Sequence, residues 1–114
     1  MSADQPLSDE ELAAVERRAA AASPGPWIAR LESRQSIGGG SFVQLDSDPA
    51  RDDELYLRRF VGGHEVLGVD PRTDADIDFI AGARQDVPRL LAEVRRLRAA
   101  QARQQQRQQQ SAAD

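Results

Sequence analysis

The chain has 114 residues, of which 39% are hydrophobic and 4% aromatic, with no cysteine and a formal net charge of −4. That is one domain's worth, with roughly 90 residues left to build from once polar ends are set aside, so the core is thin and association would help it. The absence of cysteine excludes disulfides, thiolate metal sites and cysteine nucleophiles. The apolar runs are too short for a membrane span or a signal segment, so a soluble cytoplasmic protein with no membrane partner is expected.

All fifteen basic residues are arginine, which reads as GC-rich codon usage. Residues 1–78 hold 8 arginines against 16 acids, a balance of −8, and residues 79–114 hold 7 against 3, a balance of +4. An acidic body therefore precedes a basic end.

Residues 1–6 are expected to be disordered, residues 7–98 to form a single α+β domain, and residues 99–114 to be a low-complexity tail rich in Gln and Arg. The domain opens with a helix start signal. Ser8 with Glu11 three residues on is a capping box, and Leu7 and Leu12 stand at the positions of a hydrophobic staple. The helix is predicted over Asp9–Ala22, where Ser23-Pro24-Gly25-Pro26 stops it by removing two N–H donors.

Four short strands follow in the reading, as an antiparallel meander with the helices as its cover. Trp27, Ala29 and Leu31 alternate with Ile28, Arg30 and Glu32 in the first, and Phe42 and Val43 open the second. The run from Glu54 to Val61 is the third, with Leu55, Leu57 and Arg59 on one side. Val66 and Leu67 continue the fourth beyond the Gly62-Gly63 turn.

The last element spans Asp74–Arg98, capped by Thr73 or Asp74, with Asp74, Asp76 and Asp78 favourable at the positive end of its dipole. Ile77, Ile80, Ala81, Val87, Leu90, Leu91, Val94 and Leu97 recur at helical spacing, interrupted by Arg84. Pro88 predicts a break or kink, with Asp86 as a new cap. The expected buried set is Trp27, Phe42, Leu55, Leu57, Val66, Ile77, Ile80, Leu90 and Leu91.

No catalytic constellation emerges. The lone His64 follows two glycines and has no nucleophile or orienting group at predictable spacing. The acidic stretch 46–54, with Asp46, Asp48, Asp52, Asp53 and Glu54, lacks the glycine and terminal glutamate of a calcium loop. The Ser36–Ser41 stretch lacks the lysine of a phosphate loop and precedes a strand rather than a helix. Neither an enzymatic activity nor a cofactor nor a metal is expected.

Binding chemistry is better represented. Leu90, Leu91, Val94 and Leu97, flanked by Arg95 and Arg98, offer a helical surface for a second copy of the chain, for another protein, or for the chain's own sheet. The arginines from Arg89 to Arg107 offer the alternative of nucleic-acid binding, against an overall pI near 5.0.

Two stretches, Glu16–Trp27 (ERRAAAASPGPW) and Asp74–Arg98 (DADIDFIAGARQDVPRLLAEVRRLR), together about a third of the chain, resemble a group of small proteins of actinobacteria and their phages. That group is similar to the Ead-like proteins of tailed phages. In this chain Ser23 stands where Thr is common and Gly82 where Ala is common. The resemblance implies an accessory or regulatory protein of phage or prophage type and carries over no catalytic residues. The expected function is a non-catalytic interaction protein, binding itself or a host or phage protein through the C-terminal helix and an acidic surface.

Overall fold

A computed structural model describes residues 5–31, 40–45, 50 and 53–113. Helix α1 spans Asp9–Ala21, ending one residue short of the expected position. Its capping box forms in full: Glu11 N–H donates to Ser8 Oγ at 3.0 Å, and Ser8 N–H donates to the Glu11 carboxylate at 2.9 Å. These satisfy donors that the first turn leaves without helical partners. Leu12 is buried at 1% exposure, whereas Leu7 of the expected staple is exposed.

After the Pro-Gly-Pro turn, whose Gly25–Pro26 peptide is cis, come β1 (Ile28–Arg30), β2 (Phe42–Gln44) and β3 (Glu54–Tyr56). They form an antiparallel sheet in the order β1-β2-β3. Ala29, Val43 and Leu55 align in register, as do Arg30, Phe42 and Tyr56 on the opposite face. Strands β4 (Phe60–Val61) and β5 (His64–Glu65) pair separately. Gly62 and Gly63 join them at φ 57° and 83°, and a two-residue turn with both residues left-handed suits the twist of a hairpin.

The overall class is thus α+β, but the expected four-stranded meander is corrected to a three-stranded sheet plus a two-stranded hairpin. The run from Glu54 to Val61 divides because unbroken alternation would set Arg59 on the core side beside Leu55 and Leu57. The guanidinium instead reaches the start of the C-terminal helix, donating to Thr73 Oγ1 at 2.8 Å and pairing with Asp76, with the Asp70 carboxylate 3.8 Å away.

Helix α2 spans Pro71–Ala113 and corrects two expectations. It starts earlier than Thr73 or Asp74 would allow, since Asp70 is the cap: its carboxylate accepts from Thr73 N–H at 3.1 Å and from Thr73 Oγ1 at 2.6 Å. Pro71 then takes the first helical position, where no N–H is needed. Nor is the helix broken, because it runs through Pro88 and continues to Ala113. An internal proline costs about 3 kcal/mol, and α1 packs along α2 here: Ala19 shares a groove with Arg84 and Val87 before the proline, and beyond it Glu16 pairs with Arg95 and Asp9 with Arg98. Beyond Arg98 the Ala, Gln and Arg residues are strong helix formers and sustain the helix without an apolar face.

The core lies between the sheet and the first half of α2. Leu31, Val43, Ile77 and Ala81 are buried, with Trp27, Ala29, Leu45 and Ile80 packed around them. Three residues of the expected core are exposed instead: Leu55, Leu57 and Leu90. Helix α2 packs on β1 and β2, so Leu55, although aligned with Val43, stands on the edge strand with less cover. Phe42 is half-buried on the outer face, where its ring sits 4.9 Å from that of Tyr56. The longest dimension, 71 Å, is set by α2, whose 43 residues span about 65 Å.

Candidate functional site

The six residues expected to meet a partner divide by face. Leu91 and Val94 are half-buried. Arg95 pairs with Glu16, and Arg98 donates to the Leu7 carbonyl at 2.7 Å and to Asp9 at 3.3 Å. These arginines fasten α2 to α1, a use that the sequence reading did not foresee. Leu90 and Leu97 remain open, at 62% and 52% exposure.

Leu90 and Leu97 are separated by two helical turns and therefore lie on one line along α2. Phe79, 77% exposed, lies on nearly the same line three turns before Leu90. At this N-terminal end the stripe borders an open groove of about 370 Å³ between α1 and α2. Val15 and Ala19 line one wall; Phe79, Ile80, Ala83 and Val87 line the other, with Trp27 at its end. Acids and arginines rim the stripe, and Glu93 binds Arg96 across one turn of the exposed surface. The Arg96 hydrogen bond holds the Glu93 carboxyl below its usual range.

Among the described residues the other candidate chemistry does not assemble. His64 is an exposed hairpin residue. Its neighbour Glu65 accepts from Arg58 at 3.0 and 2.8 Å, and that hydrogen bonding lowers the Glu65 carboxyl. Arg58 also lies 5.1 Å from the centre of the Phe60 ring, in the range of a cation–π contact. Of the acidic stretch, Asp46, Asp48 and Asp52 lie outside the described residues. Asp53 contributes its carbonyl to Leu45 N–H at 2.9 Å, and Glu54 accepts from the Tyr56 hydroxyl at 3.2 Å. Most of the Ser36–Ser41 stretch is likewise outside, and Ser41 donates to Asp74 at 3.3 Å.

Among the described residues no group of three potential ligands could hold a metal, and no helix is long and apolar enough to cross a membrane. No family model, no curated protein and no solved structure matches this chain.

Three further structural roles were not expected from the sequence: Asp70 as cap, Arg59 as the link from hairpin to helix, and Gln85, whose side-chain amide bonds the backbone N–H and carbonyl of Trp27. Asp-Pro ahead of Thr73 was a legible cap signal. Nothing local marked the other two, because both join segments far apart in the chain.

Proposed function

We propose that this protein is a non-catalytic accessory or regulatory interaction protein, of phage or prophage type, that binds itself or a host or phage protein through α2 and its acidic surface. The observation that carries this reading is the exposure of Leu90 and Leu97 in line on a helix that outruns the domain beneath it. Large apolar side chains gathered on one helix face, rimmed by charge, are the usual ground for a helix-to-helix contact. The phage assignment rests on the resemblance of Glu16–Trp27 and Asp74–Arg98 to the Ead-like group.

The experiment compares capture by tagged wild-type chain and by the Leu90→Glu/Leu97→Glu variant from actinobacterial lysate treated with nuclease, with untagged chain added. Capture of a host protein or of untagged chain that the variant loses supports the reading. Equal capture by both removes α2 as the binding surface.

A second reading, nucleic-acid binding, draws on Arg89, Arg96 and Arg103, which fall seven residues apart on the solvent side of α2, with Arg107 beside them. Arg95 and Arg98 are already committed to α1, and Arg96 to Glu93, which leaves fewer cations for phosphate than the sequence advertises. Under this reading, affinity for duplex DNA falls linearly with salt on logarithmic axes and is lost when residues 95–114 are removed.

A further inference from the structure

We propose that the exposed stripe of α2 pairs with the same stripe of a second copy, as a parallel, in-register, two-stranded coiled coil flanked by the two α1 helices. The proposal deepens the interaction reading above and rests on it, naming the partner and the geometry.

The spacing supplies the register. From Ala83 the residues that share this face alternate at intervals of three and four, which places Val87 and Val94 at the a positions of a heptad and Ala83, Leu90 and Leu97 at the d positions, while Ile80, one a position earlier, is taken up by the chain's own core. The same register continues through Gln101, Gln104 and Gln108 without a skip. β-Branched residues at a with leucine at d favour two parallel strands over trimers and tetramers, and polar residues at core positions set register at some loss of stability.

The fold leaves this face available. Helix α1 is fastened to Arg95 and Arg98, and successive helix residues advance by about 100°. On that spacing the a/d face is turned roughly a quarter-circle away from α1, so a second α2 can lie against it with α1 beside it. The groove between α1 and α2 is lined by Phe79, Ala83 and Val87, and Leu90 follows three residues after Val87 along the helix. Past Arg98 about fifteen helical residues, roughly 22 Å, extend beyond the end of α1.

Orientation follows from what would meet what. Parallel and in register, the Val and Leu layers face their own kind and the Gln layers face Gln. Glu93, at a g position, then comes near Arg98 of the second copy, at the e position five residues further on; each already has a partner in its own chain, Arg96 and Asp9, so the contact extends existing ion pairs rather than satisfying a free charge. An antiparallel pairing that kept the apolar layers together would set the g-position acids Asp86 and Glu93 of the two copies against each other and leave the Gln layers unmatched.

The test uses the full chain, in sedimentation equilibrium and in cysteine crosslinking. The expected mass is twice the 12.5 kDa of one chain. The Leu90→Glu/Leu97→Glu variant should fall to half that mass while keeping a cooperative thermal transition. The chain has no cysteine, so Gln101→Cys, at an a position, reports the geometry directly: mild oxidation should link 101 to 101, whereas Arg103→Cys, on the outer side, should not crosslink. A wild-type chain that stays at the mass of one copy at all attainable concentrations overturns the proposal, as does a dimer indifferent to the double substitution or one that links equally through 103. Should the wild type be a monomer while the lysate capture above still depends on Leu90 and Leu97, the interaction reading stands and only the second copy as partner is excluded.

Discussion

The side-chain amide of Gln85 holds both backbone polar groups of Trp27, accepting from its N–H at 3.2 Å and donating to its carbonyl at 3.2 Å. The side chain acts as a one-residue strand, closing the ladder edge where the Pro-Gly-Pro turn enters β1. Trp27 is also held from behind, its indole N–H donating to the Ser23 carbonyl at 3.1 Å. Gly25 belongs to the same unit, since a Cβ there would lie 3.4 Å from Arg84 Cγ. The turn that follows α1 and the first half of α2 are therefore the two halves of a single joint. Replacing Gln85 by Ala removes both bonds and should cost about 1–2 kcal/mol. Gln85→Glu keeps the acceptor and loses the donor, and should fall between wild type and Ala in thermal melts.

Ile77, 1% exposed, sits in the buried cluster with Leu31, Val43 and Ala81. Ile77→Ala should cost about 2–5 kcal/mol from lost transfer energy and the cavity left behind. Leu67, 79% exposed, is the control: its substitution by Ala should change stability by no more than about 0.5 kcal/mol. Chemical denaturation of both variants checks the contrast, and equal losses would displace the core from where it is described.

Gly82 lies inside α2, and a Cβ at that position meets only the Asp86 carboxylate at 3.6 Å, an ordinary contact. Gly82→Ala should stabilise the protein by up to about 1 kcal/mol through helix propensity. For a domain of this size that raises Tm by about 4–8 °C.

Four carboxyls are held below their ordinary pKa: Glu11 by hydrogen bonds with Ser8, Glu65 by Arg58, Asp70 by Thr73, and Glu93 by Arg96. Each binds its proton more weakly folded than unfolded, so its contribution is present above the unfolded pKa, near 4, and is lost as pH falls through the lowered folded value. Tm should hold steady around neutrality and drop below about pH 4. Asp70→Asn should lower Tm at neutral pH and make the acid drop smaller, since the caps and pairs that remain are fewer.

The capping box tests locally. Ser8→Ala removes the acceptor for Glu11 N–H and should cost about 1 kcal/mol. Its effect on the second half of α2 is also informative: α1 is tied there through Asp9 and the Leu7 carbonyl to Arg98, so amide exchange should quicken around Arg98 as well as in the first turn of α1.

Much of this architecture was legible because it is local. Ser8 and Glu11 specify a helix start within four residues, two prolines and a glycine stop that helix, and the alternation of Trp27, Ala29 and Leu31 identifies the face of β1 that meets the core. The helical stripe from Ile77 to Leu97 and its Val and Leu periodicity are also properties of spacing alone. What only the tertiary structure decided concerns groups that must find partners across the chain. Arg59 divides a run that reads as one strand because its guanidinium is satisfied by Thr73 and Asp76 rather than by solvent. Pro88 lies inside α2, which nevertheless runs on unbroken with α1 packed alongside it. Leu90 and Leu91 are adjacent and chemically alike, yet one is open and the other half-buried, since their outward directions differ by about 100° and α1 covers only one of them.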